Sequence, residues 1–458
     1  MLSSTLAKHR RGANRGAAAR CFNTPRYCVN LRSLVPDLGA VIFGECSMNR
    51  NYDTLEVRDP EAREESLLEA LPRQVAHAKS KSTYAAKLLA AVDASAVTSR
   101  EALAALPVTR KSSLAALQAN AAPFGGLEAT PIGALARVFM SPGLLFEPEG
   151  RRGDYWRMAR PLFAAGFRPG DLVHNTFSYH LTPAGSMLET GAHALGCAVI
   201  PAGTGQTEQQ LQAIAQFRPN GYTGTPSFLK ILVEKAAEAG GGIASITKAL
   251  VSGEALPPSL RAWLEAHGIK TAQTYASADL GNIAYESAAR EGLILDEAVI
   301  VEIVRPGTGD PVVAGEVGEV VVTTLNPDYP LIRFATGDLS ALLDGMSPCG
   351  RTNQRIKGWM GRADQTIKVK GMFVHPGQIV AVAKRFPELG RVRLIVDTAD
   401  GQDRMTLHAE LAAASPGIDT KLADTLRDVT KLRGEVAIRK PGELANDGKI
   451  IDDVRKYE

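Results

Sequence analysis

The chain has 458 residues, of which 45% are hydrophobic and 22% are charged, and this size allows more than one hydrophobic core. Its formal net charge of +3 gives no reason to expect nucleic acid or a membrane surface as a partner. No uninterrupted apolar run approaches the ~18 residues of a transmembrane helix. The five cysteines include no CxxC pair, which favours reduced thiols in a cytoplasmic protein.

The first 47 residues form a basic extension. Its basic residues are Lys8, Arg10, Arg11, Arg15, Arg20, Arg26 and Arg32. Only Asp37 and Glu45 oppose them, and no long apolar core follows, so a secretory signal is not expected. Two interpretations stay open: an arginine-rich organelle presequence, and a start codon assigned upstream of the true start. We favour the second, and otherwise expect this extension to be disordered.

Helical and strand-like patterns alternate from Pro60 onward. Apolar residues recur three and four positions apart between residues 61 and 78, which predicts an amphipathic helix. Short apolar runs predict buried strands at residues 170–176, 198–201 and 221–223 and a strand end at 251–253, with a helix at 206–217. This alternation implies a largely parallel sheet with helices on both faces.

Ligands in such sheets bind outside the carboxyl ends of the strands. Gly253 and Glu254 come just after the strand-like residues 250–251, and Tyr275 comes just after residues 271–274. The pattern therefore predicts that these three residues lie where a ligand would bind.

The pattern changes in the last third of the chain. Residues 319–324 and 339–343 are β-rich, and after Asp364 a small α+β unit begins. Its predicted strands are 367–369, 392–396 and 405–409, and its predicted helix is 420–432. We therefore expect a large domain over residues 48–363 and a C-terminal domain over residues 364–458.

Three short motifs in this part of the chain point to a nucleotide enzyme. They are Tyr329-Pro330-Leu331-Ile332-Arg333-Phe334-Ala335-Thr336-Gly337-Asp338, Gly361-Arg362-Ala363-Asp364-Gln365 and Gly448-Lys449-Ile450. Taken singly, a tripeptide such as Thr336-Gly337-Asp338 is compatible with an ordinary turn. In this order, the three motifs resemble the phenylacetate-CoA ligase branch of the adenylate-forming acyl-CoA synthetases.

Further segments extend the resemblance from Tyr52 to Lys449. They are residues 52–56, 106–111, 200–203, 207–210, 224–227, 253–254 and 315–319. The resemblance implies an α/β fold with a large N-terminal adenylate-forming domain of layered sheets and helices. It also implies that residues 364–458 form a small mobile α+β domain, the lid.

The resemblance implies an ATP-dependent ligase that joins an aromatic, phenylacetate-like acid to CoA through an acyl-AMP intermediate. Its substrates would be a small carboxylic acid, ATP and CoA, with Mg²⁺ as cofactor, and a homodimer is compatible with it. ATP is needed because direct attack on a carboxylate would have to expel an oxide, whereas AMP is a good leaving group. Two alternatives stay open: loading of a carrier-protein thiol, and a degenerate nucleotide-binding protein without turnover.

The resemblance assigns five residues to the nucleotide. Asp338 would accept hydrogen bonds from the ribose hydroxyls, and Arg362 would reinforce the ribose or the phosphate side. Tyr275 would offer an aromatic plane to adenine. Gly253 and Glu254 would let the backbone approach the purine edge, because a side chain at the glycine would block it.

The resemblance also assigns roles to the lid. Lys449 would neutralise negative charge developing on the carboxylate and the α-phosphate. A solvated surface lysine is the alternative for this residue. Asp364 would be the hinge, and Lys370 and Gly371 would face the pantetheine of CoA after the lid rotates.

The phosphate loop departs from the family pattern. It reads Met140-Ser141-Pro142-Gly143-Leu144-Leu145-Phe146-Glu147-Pro148-Glu149-Gly150, where the family has a Ser/Thr/Gly-rich loop with a lysine. A phosphate cradle needs successive free backbone N–H groups, so Ser141 and Gly143 are all that remains, and Glu147 and Glu149 are expected to repel phosphate. The Mg²⁺-binding glutamate of the family is shortened to Asp279.

Some members of the branch bind a structural zinc ion. The corresponding positions are Ser287, Ile294, Ser347 and Cys349. One soft ligand cannot hold tetrahedral zinc, so we expect no zinc and hydrogen bonding or packing in its place.

The histidines give little support to other reaction classes. None is spaced as HExxH, and the chain has no G-x-S-x-G motif. His180 lies in a segment similar to the acyl pocket of the family, and a hydrogen-bonded core histidine is the equal alternative.

Overall fold

The computed structural model describes residues 50–141, 144–369, 372–399, 402–413, 416–445 and 449–455. These residues belong to one compact unit that spans residues 49–458. The basic extension lies outside the described residues. Among the helices that are described, none is long and apolar enough to cross a membrane.

Three of the helices were predicted, at residues 61–78, 206–217 and 420–432, and each begins and ends within three residues of its predicted position. The described residues form eleven α-helices in all. They are α1 (Pro60–Lys81), α2 (Thr83–Leu88), α3 (Arg100–Ala104), α4 (Leu114–Asn120), α5 (Ala159–Ala164), α6 (Ala184–Leu195), α7 (Thr207–Phe217), α8 (Pro226–Glu238), α9 (Pro258–Ala266), α10 (Pro376–Ala383) and α11 (Ile418–Thr430). Helix α1 begins before the predicted position because the Asp59 side chain accepts hydrogen bonds from the N–H groups of Glu61 and Ala62.

The largest sheet has nine strands and carries the parallel part of the fold. In spatial order its strands are β14 (Leu342–Leu343), β15 (Arg355–Ile356), β10 (Leu293–Leu295), β9 (Gly281–Glu286), β8 (Lys270–Ser277), β7 (Lys248–Val251), β6 (Gly221–Gly224), β4 (Leu172–Asn175) and β5 (Ala198–Pro201). The strands from β5 to β8 pair in parallel, and those from β8 to β14 pair antiparallel. The predicted parallel sheet is therefore confirmed for five strands.

A second sheet carries the strand with Asp338. Its order is β1 (Thr109–Arg110), β13 (Phe334–Ser340), β12 (Gly318–Thr324) and β11 (Val299–Val304). Strand β1 pairs in parallel with β13, although more than 200 residues separate them in the chain. This pairing places the residues that follow β1 beside Asp338.

The C-terminal part of the chain has a sheet and a core of its own. The order of this sheet is β20 (Glu435–Arg439), β19 (Gln402–Glu410), β18 (Val392–Ala399) and β21 (Ile451–Asp453). A small hairpin precedes it, formed by β16 (Ile367–Val369) and β17 (Met372–Val374). Helices α10 and α11 pack with these strands around the buried residues Ile379, Leu394, Leu407, Leu422 and Leu426.

The segment compared with a phosphate loop is a β-hairpin. Strand β2 (Arg137–Ser141) pairs antiparallel with β3 (Leu145–Glu149). Pro142 and Gly143 lie outside the described residues. The glutamates that the sequence placed in a loop therefore belong to strand β3, where both are buried.

Candidate functional site

Among the described residues, three side chains donate hydrogen bonds to the Asp338 carboxylate. The Tyr275 hydroxyl lies 2.9 Å from Oδ2, while the Trp359 indole nitrogen and the Arg362 guanidinium lie 3.1 and 3.2 Å from Oδ1. Burial and the neighbouring Asp338 charge raise the pKa of Tyr275 well above its usual value, so its hydroxyl stays a donor. The side chain of Asp338 keeps 19% of its surface exposed, which leaves room for a ligand to approach.

The backbone around Asp338 explains how these donors converge. Asp338 and Arg362 pair through an isolated antiparallel bridge. Gly337 has φ of 76°, and a Cβ there would lie 2.7 Å from an Arg362 nitrogen. Glycine at this position therefore lets the guanidinium rest against the strand.

Tyr275 lies inside a strand, which corrects the prediction that it follows one. Strand β8 continues to Ser277, and its register with β9 shifts between Tyr275 and Ala276. A β-bulge of this kind redirects side chains. The structure thus brings together Tyr275, Asp338 and Arg362, as the sequence predicted, and adds Trp359, for which no sequence signal was found.

Gly253 and Glu254 follow strand β7, the parallel neighbour of β8, and both are exposed. Gly253 has φ of 80°, and the nearest atoms to a Cβ there would be 3.8 Å away, on Phe177 and Thr225. The positive φ thus favours glycine at this position, whereas neighbouring atoms of the described residues leave space for a Cβ. Glu254 accepts a hydrogen bond of 3.4 Å from the Ser227 N–H.

An ion pair joins the buried Asp279 to a partly exposed lysine for which the sequence predicted no role at the site. The Lys111 ammonium lies 2.7 Å from Asp279 Oδ2, and the Asp279 side chain is only 1% exposed. The other oxygen, Oδ1, has no hydrogen-bond partner. Lys111 directly follows β1. The pairing of β1 with β13 therefore brings Lys111 to the side of the site where Asp279 lies. The sequence signal for Lys111 is the motif at residues 106–111, which indicated the family but no role for this lysine.

Glu147 and Glu149 on β3 were both expected to carry a charge that repels phosphate, and the structure gives each a different environment. Burial raises the pKa of Glu147 to about 7, the nearby Asp279 also raises it, and Ser141 and Lys111 lower it. A large fraction of this side chain is therefore uncharged near neutral pH. Glu149 pairs with Arg137 at 2.6 Å and accepts a hydrogen bond from Ser186 at 2.7 Å. Glu149 was expected to repel phosphate, but in the structure its charge is paired with Arg137.

Residues 157–326 match the AMP-binding enzyme family. The chain is 34% identical over 340 residues to the phenylacetate-coenzyme A ligase of Thermus thermophilus, a match that covers 70% of this chain and 75% of that one. It is 31% identical to the phenylacetate-coenzyme A ligase of Aromatoleum evansii, with 68% and 72% covered. The chain belongs to the phenylacetate-CoA ligase family. It is therefore an ATP-dependent acid–CoA ligase that works through an acyl-AMP intermediate, with ATP and CoA as substrates.

The fold agrees with this membership. The crystal structure of 2-hydroxyisobutyryl-CoA ligase in an open conformation, in complex with 2-HIB-AMP and CoA, superposes with a TM-score of 0.79 at 24% identity. The superposition covers 89% of this chain and 95% of that one. The predicted α/β fold with layered sheets and helices is thus confirmed.

The C-terminal residues that family resemblance singled out are described only in part. The Lys449 ammonium lies 3.1 Å from Asp452 Oδ1, and its side chain is 53% exposed. Asp364 lies in a short 3-10 turn over Ala363–Gln365. Lys370 and Gly371 lie outside the described residues, as does Gly143 of the phosphate segment.

The positions compared with a zinc site hold hydrogen bonds and packing contacts in this chain. Ser347 Oγ lies 3.1 Å from Cys349 Sγ, and an Arg351 nitrogen lies 3.7 Å from the same sulfur. Arg351 also pairs with Glu56 at 3.0 Å. Ile294 is buried in strand β10. In the part of the chain that the structure describes, no group of three or more His, Cys, Asp or Glu residues is arranged to hold a metal ion.

His180 is exposed, at the loop that follows β4. Its backbone N–H donates to the Ser178 hydroxyl. The alternative of a core histidine is therefore wrong. Phe177, three residues earlier, is buried and lies near Gly253, so this loop borders the segment assigned to the purine.

Proposed function

We propose that this member of the family ligates an aromatic, phenylacetate-like acid to CoA, and that Asp338, Tyr275 and Arg362 hold the AMP part of ATP. The convergence of three donors on one partly exposed carboxylate carries the nucleotide assignment. A ribose offers two adjacent hydroxyls, and a carboxylate has enough lone pairs to accept from them as well as from protein donors. The acid is proposed because the curated relatives above are phenylacetate-CoA ligases.

The two half-reactions use the site in turn. In the first, an oxygen of the acid attacks the α-phosphorus of ATP, and the bond to pyrophosphate breaks. In the second, the CoA thiol attacks the acyl carbon after losing its proton, and AMP leaves. Lys449 would neutralise charge in the first step. Gly253 and Glu254 would border the purine, and His180 would lie at the acyl pocket.

The phosphates of ATP would lie beside the ion pair of Asp279 and Lys111. Magnesium usually binds through one or two carboxylates together with substrate phosphates, and the unpartnered, buried Asp279 Oδ1 fits such a ligand. When bound, Mg²⁺ would neutralise part of the phosphate charge. Lys111 would supply the cation that the family places in the phosphate loop, and Ser141 at the end of β2 would add a hydroxyl.

We further propose that the lid begins at Asp364 and turns about it between the two half-reactions, with Lys370 and Gly371 facing CoA in the second. The separate core of the C-terminal sheet supports this boundary. A carrier-protein thiol in place of CoA would use the same residues and is the alternative acceptor. We also propose that the protein is cytoplasmic and that it forms a homodimer.

Pyrophosphate release with a panel of aryl and alkyl acids, with and without CoA, tests the function. We expect acid-dependent pyrophosphate with arylacetic acids, and a CoA thioester as product when CoA is present. Pyrophosphate release with alkyl acids but not with aryl acids would overturn the assignment of an aromatic substrate. No acid-dependent release from folded protein would leave a nucleotide-binding protein without turnover. A thioester that forms only on a carrier protein would establish the alternative acceptor.

Lys111 gives a second test, because it should contact only the phosphates beyond AMP. In Lys111→Met we expect ATP affinity to fall about tenfold, the scale of one charge-assisted hydrogen bond. AMP affinity should stay unchanged. Calorimetry with both nucleotides in the presence of Mg²⁺ measures this difference.

Two variants control this test. Lys87→Met removes an exposed lysine on α2, and Lys111→Arg keeps the charge. Because the change leaves the Asp279 carboxylate buried without its cation, thermal unfolding of Lys111→Met must show a folded protein before binding is compared. Equal loss of ATP and AMP affinity would remove Lys111 from the phosphate site.

A further inference from the structure

We propose that Gln365 is a positioning residue that ties the segment carrying Lys449 to the hinge. Gln365 is the residue after Asp364 and the last residue of the short turn Ala363–Gln365. Its side-chain carbonyl Oε1 accepts a hydrogen bond of 2.9 Å from the backbone N–H of Ile450, the residue after Lys449. This hydrogen bond joins the hinge segment to the lysine segment across 85 residues of sequence.

Contacts with strand β18 also hold the backbone of Lys449 and its neighbours. Buried Arg393, on β18, donates to the carbonyls of Lys449 and Ala445 at 3.2 and 3.0 Å. The Ile450 carbonyl accepts from the Leu394 N–H at 2.8 Å. These contacts attach the segment to the C-terminal sheet, whereas the Gln365 contact attaches it to the hinge.

The regular pairing of β21 begins only at Ile451, which pairs with Leu394 of β18. Lys449 thus precedes the strand, and contacts of its flanking backbone help to set its direction. Its side chain is half exposed. Holding the Ile450 N–H fixes where the Lys449 ammonium is carried when the hinge rotates, and a displacement of about 1 Å can cost a factor of 10².

This inference rests on the proposed role of Lys449 in adenylation. Gln365 acts through the backbone and does not touch the reacting atoms. Its loss should therefore slow the step that uses Lys449 and spare the step that uses the other lid orientation. A merely structural glutamine would slow both steps in proportion to lost folded protein.

The test compares Gln365→Met with Gln365→Glu. Methionine keeps the length of the side chain without a comparable acceptor, and glutamate keeps an acceptor oxygen. We expect acyl-AMP formation to fall about tenfold in Gln365→Met, since one hydrogen bond is worth a factor of roughly 2 to 13, and to be restored in Gln365→Glu. Thioester formation from supplied acyl-AMP should match wild type in both. If Gln365→Met does not fold, Gln365→Ala takes its place.

Lys449→Ala in the same assays separates the two proposals. If it slows adenylation while Gln365→Met behaves as wild type, the positioning role is wrong and the role of Lys449 stands. If Lys449→Ala adenylates normally, the role of Lys449 is wrong, and that of Gln365 falls with it. The double variant should be no slower than Lys449→Ala, because Gln365 acts through Lys449. Additive losses would overturn the proposal.

Discussion

Lys449→Ala is expected to lose roughly 10² or more in the rate of acyl-AMP formation, the scale of removing one preorganised electrostatic group. The acid and the α-phosphate both carry negative charge as they approach, and a lysine ammonium is a compact charge that can lie between them. Thioester formation from supplied acyl-AMP should survive, because that step uses the other lid orientation. Acid-dependent pyrophosphate release and single-turnover thioester formation measure the two steps separately.

Lys421→Ala provides the matched control, since Lys421 is an exposed lysine on α11 of the same C-terminal region. It should leave both steps unchanged. If the structure holds Lys449 beside Asp452 only as a surface ion pair, Lys449→Ala will behave like this control. Such an outcome would exclude the lysine from the mechanism.

Asp338→Ala is expected to weaken ATP binding by about 1.5 to 3 kcal/mol, the range for hydrogen bonds to a charged group. The variant removes the acceptor for the ribose hydroxyls and leaves the Tyr275, Trp359 and Arg362 donors without their shared partner. AMP should lose the same amount, because it has the same ribose. Isothermal titration with each nucleotide gives both values.

The shared loss distinguishes Asp338 from Lys111, for which only ATP should be affected. Asp428→Ala, at an exposed position on α11, controls for the removal of an acidic side chain. ATP affinity equal to wild type in Asp338→Ala would show that the ribose lies elsewhere. If Asp338→Ala binds AMP as tightly as wild type does but binds ATP more weakly, Asp338 contacts the phosphates instead of the ribose.

Local sequence patterns predicted several of the helices and strands close to their observed positions. Strand β5 lies at the predicted residues 198–201, and helix α7 begins one residue later than predicted. Such elements follow from the spacing of apolar residues and from turn residues at their ends, which are properties of neighbouring residues. The motif residues Tyr275, Asp338 and Arg362 were also predicted together, because the family resemblance supplied their common role.

The tertiary structure alone decided how distant segments meet. Lys111 reaches Asp279 because β1 pairs with β13, and no periodicity in the sequence encodes that pairing. The charge state of Glu147 likewise depends on its burial in β3. The sequence determined which residues could bind a nucleotide and a phosphate, because side-chain chemistry is local. Strand order and burial decided which of these residues share a site. Hydrogen bonds and ion pairs form only where the folded chain brings their atoms within a few ångströms of each other.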